Sequence, residues 1–504
     1  MENTKTYKFT KPYVKRTIWI GLAFFGILLV WQLYNGYCSP MLSFLFARHD
    51  YAAEVALGEA SGYTTMKDLL AHGFVTEKQY LDIQWKVGII MALDNIAALF
   101  IMPLFGTLSD KTHSKLGKRM PFIIIGSVVT AIALPFIPVF FSNGMSSDTG
   151  TLVGMIVGLI VTMCVIIIFM MSYRSPAVAL MPDLTPKPLR SKANGLINVV
   201  GYVGGAIGSV AGIVIPVTKY IDGSNKSLWM LEIPFIVCSV VLLVSLALLL
   251  LKVKENDLHK ELDPEIKASD DAGESAEAVT SSGKLSKVNL RNLILILIAE
   301  MFWFMSLNAV ETFQTNYAMF WLNTSSASGA TMTIVSGAAS VVGFLIAGPI
   351  ADKIGRKWTI FIGICTVCLC YVIYALFPQV TADQIAKDGA FESDLPFLFF
   401  VILPTIGLGS SLIHICSFPL VTDYCTGDKL GRFTSLYYTA SMLAQSVTPI
   451  AIGFIFQASS WQALPIYSAI LMGCAGVVFF FVKAPHKNDK AKNVKGLAAL
   501  GQDD

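Results

Sequence analysis

Charge is scarce in this chain. Only 14% of its 504 residues are Asp, Glu, Lys or Arg, where a soluble domain carries about a quarter. Hydrophobic residues make up 54% and the mean hydropathy is +0.63. A water-soluble fold of this length cannot hide so much apolar side chain, so lipid must be the solvent for much of it. The net charge of +3 is too small to point to nucleic acid. Also missing are the phosphate loop Gly-x-x-x-x-Gly-Lys-Ser/Thr, the zinc motif His-Glu-x-x-His and the nucleophile elbow Gly-x-Ser-x-Gly. Neither an enzyme, an ATP-driven pump nor a bound cofactor is therefore expected. The first apolar run, 17–38, has no small-residue cleavage pattern after it and reads as a membrane span. The nine cysteines fall mostly inside apolar runs, and Cys365-x-x-Cys368 reads as soft packing residues of a helix.

A spanning helix needs about 20 mostly apolar residues. Such runs fall at 17–38, 86–107, 120–142, 152–176, 194–216, 228–251, 291–313, 328–350, 358–378, 395–420, 433–456 and 463–483. The prediction is an all-α membrane protein of twelve transmembrane helices, with both termini on one side. Of the 37 lysines and arginines, 30 fall on the side of the termini and 7 on the other. That bias puts the termini in the cytoplasm of a cell-membrane protein. The expected domains are a six-helix bundle over 1–251 with an external loop at 39–85, a cytoplasmic linker over 252–290, a second six-helix bundle over 291–484 and a cytoplasmic tail over 485–504. Residues 268–283 of the linker are rich in Ser, Asp, Glu and Ala, which cannot build a core. The external loop carries helical stretches near 63–71 and 76–86 and is a candidate cap or partner surface.

The two halves repeat. Gly106-Thr-Leu-Ser-Asp110-Lys111, ending in Gly117-Lys118-Arg119, follows the second run. Gly348-Pro-Ile-Ala-Asp352-Lys353-Ile-Gly355-Arg356-Lys357 follows the eighth, 242 positions later by its aspartate. Ala179-Leu-Met-Pro-Asp183, then Arg190, closes the fourth run, and Pro419-Leu-Val-Thr-Asp423, then Arg432, closes the tenth, 240 positions later. Glycine allows close helix approach, and an aspartate there can meet basic groups and helix ends of the other half. Asp110, Lys118, Arg119, Asp183, Arg190, Asp352, Arg356, Lys357, Asp423 and Arg432 are therefore the expected inner gate.

On these residues the chain resembles the major facilitator superfamily, which is built as two six-helix pseudo-repeat bundles. The extended form Gly106-x-x-Ser109-Asp110-x-x-x-Ser114-x-x-Gly117-Lys118-Arg119-x-Pro121-Phe122-Ile123 is similar to the loop of glycoside–pentoside–hexuronide:cation symporters and of sucrose/proton symporters. Ala179-Leu180-x-x-Asp183-Leu184 with Arg190-x-x-Ala193-Asn194 resembles their next inner loop. The resemblance implies secondary transport of a sugar. It breaks at two places: Ala98 and Met102 stand where the melibiose transporters carry paired acids, and Val178 stands where plant-type sucrose symporters carry an arginine.

Ionisable groups in lipid cost about 2.5–3.5 kcal/mol or more and mark function by default. Asp94 and Glu300 lie near the midplane and are the expected cation-coupling carboxylates; Ser336 is the 242-offset counterpart of Asp94, so that acid belongs to one half only. Arg174 and His414 are 240 apart, at equivalent depths. Gln32/Asn35 and Asn308/Glu311 each share a helical face at i, i+3. With Tyr34 and Trp303 these residues form the expected substrate wall, since sugars offer hydroxyls to amides and C–H faces to rings. The expected function is symport of a sugar or glycoside with H⁺ or Na⁺ by alternating access, performed by a monomer in lipid. Export or flipping of an amphipathic molecule is the second reading. A non-transporting sensor is a third, and 252–290 is too short and polar for an output module.

Overall fold

The computed structural model describes residues 10–63, 65–186, 189–220, 228–262, 264, 287–424 and 430–483; the side chains at 191–192, 228–229, 287, 422–423 and 430–435 fall outside the description. The tail 485–504, most of the linker and the side chains of Asp423 and Arg432 thus lie outside the described residues.

Among the described residues, twelve helices are long and apolar enough to cross a membrane: Lys11–Asp50, Glu77–Lys111, Met120–Met145, Thr149–Asp183, Ala193–Lys219, Glu232–Lys252, Val288–Phe320, Ser326–Ile354, Arg356–Ala375, Phe399–Val421, Leu436–Ala458 and Ala463–Phe480. They are called spans one to twelve below. Their apolar residues point both inward and outward: Leu33 and Phe235 are fully buried, while Leu345 is 70% exposed and Phe100 67%. Only a lipid solvent accommodates the second group, which makes this a multi-pass membrane protein.

Span one departs from its predicted end. Ser39-Pro40 reads as a break in the sequence, yet the helix continues to Asp50. Met41, Leu42, Phe44, Leu45 and Ala47 are all fully buried there, and that burial outweighs the proline. The external loop is correspondingly shorter. It holds helices Ala52–Ala60 and Met66–Ala71 and leads into Glu77–Asp82, the outer end of span two, started by a reciprocal capping box between Thr76 and Gln79. Across from it, Ala382–Asp388 carries the same device from Thr381 and Gln384.

These two segments define one face, called the loop face; the opposite face bears the ends of the described chain. Toward the loop face the halves are sealed together. Asn316 donates to Ser43 and to Gln84, both at 3.0 Å, in a buried network. Thr218 meets Ser325 and Ser326, Lys67 pairs with Glu392, and Gln379 donates to Glu77. Phe44 and Tyr80 of the first half pack into Phe320 and Phe391 of the second, with Trp461 stacked on Phe320. Gly88 and Gly453 let spans two and eleven touch backbone to backbone: a Cβ at 453 would sit 2.7 Å from the carbonyl oxygen of Gln84, and one at 88 would overlap that of Pro449. These hydrogen bonds and ion pairs between the halves lie at mid-depth or toward this face. The conformation is shut on the loop face.

The start of the linker is ordered. Residues 255–262 are helical, and Glu255, 2% exposed, accepts from the backbone N–H groups of Lys118, Arg119 and Met120 at 2.9–3.1 Å. Its carboxylate thus caps the start of span three, where helix N–H groups have no partner of their own. Gly117, at φ +117°, passes directly over that carboxylate, and any side chain there would collide with it. Nothing in the sequence pattern marks Glu255 for this role, because it sits among the charges of a linker.

Candidate functional site at the interface of the halves

Between the halves lies a cavity of about 270 Å³. The first half contributes Gln32, Asn35, Tyr37, Tyr202 and Ser209; the second contributes Glu311, Gln314, Thr333, Ser336, Ser340, Tyr371, Ser410 and His414. The wall thus combines amides, hydroxyls, one carboxylate, one imidazole and tyrosines with the apolar side chains of Leu307, Val310, Leu403 and Ile406. Gln314 donates to Thr333, and Ser340 donates to Gly407 O at 3.1 Å. Such a surface suits a neutral solute rich in hydroxyls.

Of the expected substrate wall, Gln32, Asn35, Glu311 and His414 line this cavity. Glu311 does not lie at the outer surface; it projects into the cavity, where Trp31 Nε1 and Asn35 Nδ2 both donate to its Oε1 at 3.3 Å. The His414 ring stands 5.3 Å from that of Phe304. Arg174 sits one layer away, its guanidinium 5.7 Å from the centre of the Trp31 ring. Three residues belong elsewhere. Tyr34 is 1% exposed and packs inside the first half. Trp303 is fully buried against Phe304 and Phe479 in the second. Asn308 is 7% exposed and is not part of the wall. A helix inside a bundle is apolar on most sides, so i, i+3 spacing groups polar residues on one face without saying which face meets the cavity. Missing from the sequence-based expectation is the hydroxyl stripe of span eight. Thr333, Ser336, Gly337 and Ser340 fall at i, i+3, i+4 and i+7 on one face, a pattern that small residues disguise as helix packing.

The two mid-membrane carboxylates have different surroundings. Asp94, 3% exposed, accepts from the backbone N–H of Asn95 at 2.5 Å and from its amide at 2.8 Å. It lies within electrostatic reach of Arg174 and Glu311. Glu300 is fully buried, and neither of its oxygens has a hydrogen-bond partner among the described residues. Tyr437 and Tyr438 of span eleven are its electrostatic neighbours, and the Tyr437 hydroxyl lies 2.7 Å from that of Ser417. A bare carboxylate there would cost several kcal/mol, roughly. That cost is avoided when its charge is cancelled by a proton or a bound cation.

The repeated loop motifs meet within their own halves. Arg119, 5% exposed, pairs with Asp110 of span two and, through Nε at 2.9 Å, with Asp183 of span four; Lys118 reaches the same Asp183 oxygen at 3.0 Å. Arg190 donates to Thr185 O at 3.0 Å. In the second half Arg356 donates to Pro419 O and Lys357 to Phe480 O, each at 3.3 Å, while Asp352 is exposed. The expected meeting of these aspartates with the other half is not made in this conformation among the described residues. With the halves joined toward the loop face, Asp110 and Asp183 turn to the arginine of their own half.

The family model of the Major Facilitator Superfamily matches residues 55–378 and 293–501. Among curated proteins, one sucrose transport protein of Arabidopsis thaliana is 26% identical over 218 residues, 39% of this chain and 41% of its own length. A second from the same plant is 30% identical over 135 residues, 22% of each chain. A bicyclomycin resistance protein homologue of Haemophilus influenzae is 30% identical over 151 residues, 29% of this chain and 33% of its own. The chain thus spans less than half the length of these relatives. The inward-open xylose transporter of E. coli superposes with a TM-score of 0.56 at 15% identity, covering 94% of this chain and 98% of the other. A nucleoside transporter superposes with 0.54 at 12%, covering 92% and 99%. At these identities the superpositions speak for the fold alone.

Proposed function

The chain belongs to the Major Facilitator Superfamily, and from that premise we propose that it carries a sugar or glycoside across the cell membrane by alternating access, coupled to H⁺ or Na⁺. The observation that carries this reading is the cavity itself: it draws hydroxyl and amide groups from both halves and is sealed on the loop face. The sucrose transport relatives support a sugar as the solute. Gln32, Asn35, Glu311 and His414 bind it, with Arg174 acting from the next layer. Rocking of the halves breaks the loop-face contacts and brings the Asp110, Asp183 and Arg119 cluster toward the second half, with Asp352, Arg356 and Lys357 as its counterpart. The lysine and arginine bias supports a cytoplasmic position for the termini, and hence an inward-open state.

Asp94 and Glu300 are the cation sites of this proposal. One charge moving down the membrane potential gains about 2.3 kcal/mol per 100 mV. At roughly 150 mV that is about 3.5 kcal/mol, or some 300-fold accumulation of a neutral solute, so one carboxylate suffices. The test is uptake of labelled mono- and disaccharides into proteoliposomes under a pH or a Na⁺ gradient imposed separately. One gradient is expected to drive accumulation, which Asp94→Asn or Glu300→Gln abolishes. If neither gradient moves any sugar, symport is wrong; if both variants accumulate like the parent, these carboxylates do not couple.

A further inference from the structure

Trp31 has no place in the solute wall, yet it touches both of the groups that the coupled-transport reading must connect. Its single N–H, the only donor an indole has, goes across the half interface to Glu311 Oε1 at 3.3 Å. Its ring face carries the guanidinium of Arg174 at 5.7 Å. Arg174 in turn stands within electrostatic reach of Asp94, and no direct ion pair joins them among the described residues. The ring is rigid, so displacing one edge displaces the face. From the proposed cation site to the solute cavity the order is therefore Asp94, Arg174, Trp31, Glu311, contributed by spans two, four, one and seven.

The occupancy of Glu311 shows how a solute enters this chain. Trp31 and Asn35 both address Oε1, and no hydrogen bond from a described residue reaches Oε2, while the residue is exposed within the cavity. A solute hydroxyl arriving at Oε2 competes with the two long bonds at Oε1, pulls the carboxylate into the cavity and withdraws it from the indole. The device exists once. In the register that pairs Gln32 and Asn35 with Asn308 and Glu311, the position of Trp31 falls on Leu307 in the second half, which offers neither donor nor π face.

We propose that Trp31 is a positioning residue that couples solute binding to the cation site, by holding Glu311 through its N–H and Arg174 through its ring face. The inference rests on the symport reading above. Neither partner is lost to the fold when the link is cut, because Glu311 keeps Asn35 and Arg174 keeps the ring in Trp31→Phe.

The test separates coupling from packing. Trp31→Phe retains the ring face and removes the donor. In proteoliposomes without a cation gradient, exchange of labelled for unlabelled sugar by this variant is expected to stay within about twofold of the parent. Gradient-driven accumulation should fall at least about tenfold, the usual size of a coupling between two sites. The cation concentration that half-saturates transport should also stop responding to sugar. Asn35→Ala removes the other Oε1 donor without touching Arg174; it should raise KM for sugar and leave the accumulation ratio per bound sugar near that of the parent. If Trp31→Phe does not reach the membrane, Trp31→Tyr keeps a ring and misplaces the donor, and carries the same expectation. Parent-like accumulation by Trp31→Phe overturns the proposal, as does loss of exchange and accumulation in equal proportion. A parent protein that accumulates nothing under either gradient removes the symport reading and this inference together, so the two failures are told apart.

Discussion

The glycine seam between spans two and eleven sets a number on how firmly the loop face is closed. In the closed conformation a Cβ at position 453 would lie 2.7 Å from Gln84 O and 2.8 Å from Trp85 Cα, where ordinary contact begins at 3.4 Å. At 88 the overlap with the Pro449 carbonyl is deeper. Both neighbours are backbone, so they cannot rotate aside; the helices themselves must part by most of an ångström at 453 and by more than one at 88. Overpacking of this kind costs about 1–3 kcal/mol. The cost falls only on the conformation in which the seam is shut, so Gly88→Ala should shift the closed-to-open ratio by roughly 5- to 150-fold toward opening on the loop face. Gly453→Ala should act in the same direction and less. A cysteine at Thr333, in the cavity wall, reports the change. A membrane-impermeant maleimide added on the loop-face side should label Thr333→Cys at least about fivefold faster when Gly88→Ala is present. An unchanged labelling rate in a folded variant would show that the halves do not separate at this seam.

Two further outcomes follow from contacts already described. Glu255→Gln keeps the shape of the cap but turns an N–H donor toward the N–H groups of Arg119 and Met120, at a cost of about 2 kcal/mol. Amide hydrogen exchange at 118–120 should accelerate about 30-fold, and an unchanged exchange rate would remove Glu255 as the cap of span three. Lys67 and Glu392 pair across the halves on the loop face, so the double variant Lys67→Cys/Glu392→Cys should lose uptake on oxidation and regain it with reductant; uptake that survives a verified crosslink would mean that this face need not open.

Much of this architecture is legible in the sequence because lipid imposes it. All twelve spans announce themselves by length and hydropathy, and the repeat fixes equivalent depths for Arg174 and His414. What the pattern does not carry is orientation about each helix axis. In a span that is apolar on most sides, Tyr34 and Gln32 are equally conspicuous, yet Gln32 faces the cavity and Tyr34 is buried in the core of its own half. Partners distant in sequence are the other blind spot. Glu255 reads as linker charge until Gly117 is seen to lie over it, and Trp31 reads as an interfacial aromatic until Glu311 is found on its far side. Asp110 and Asp183 pair with Arg119 of their own half here, a conformation-dependent detail that sequence spacing does not carry.

The aromatic plug of Phe44, Tyr80, Phe320, Phe391 and Trp461 has an electrical consequence. The cavity behind it holds the exposed carboxylate of Glu311 among other polar groups, whereas the plug is a layer of buried aromatic rings. A transmembrane voltage falls where the dielectric is lowest, so in a state with water reaching the cavity from the opposite face most of it drops across the few side chains of the plug. The protein then acts as a membrane thinned to one layer of rings. In the coupled transport proposed above, an ion entering the cavity from the open face would cross little of the field, and the voltage would work chiefly on the step that dismantles the plug on one face and rebuilds a barrier on the other.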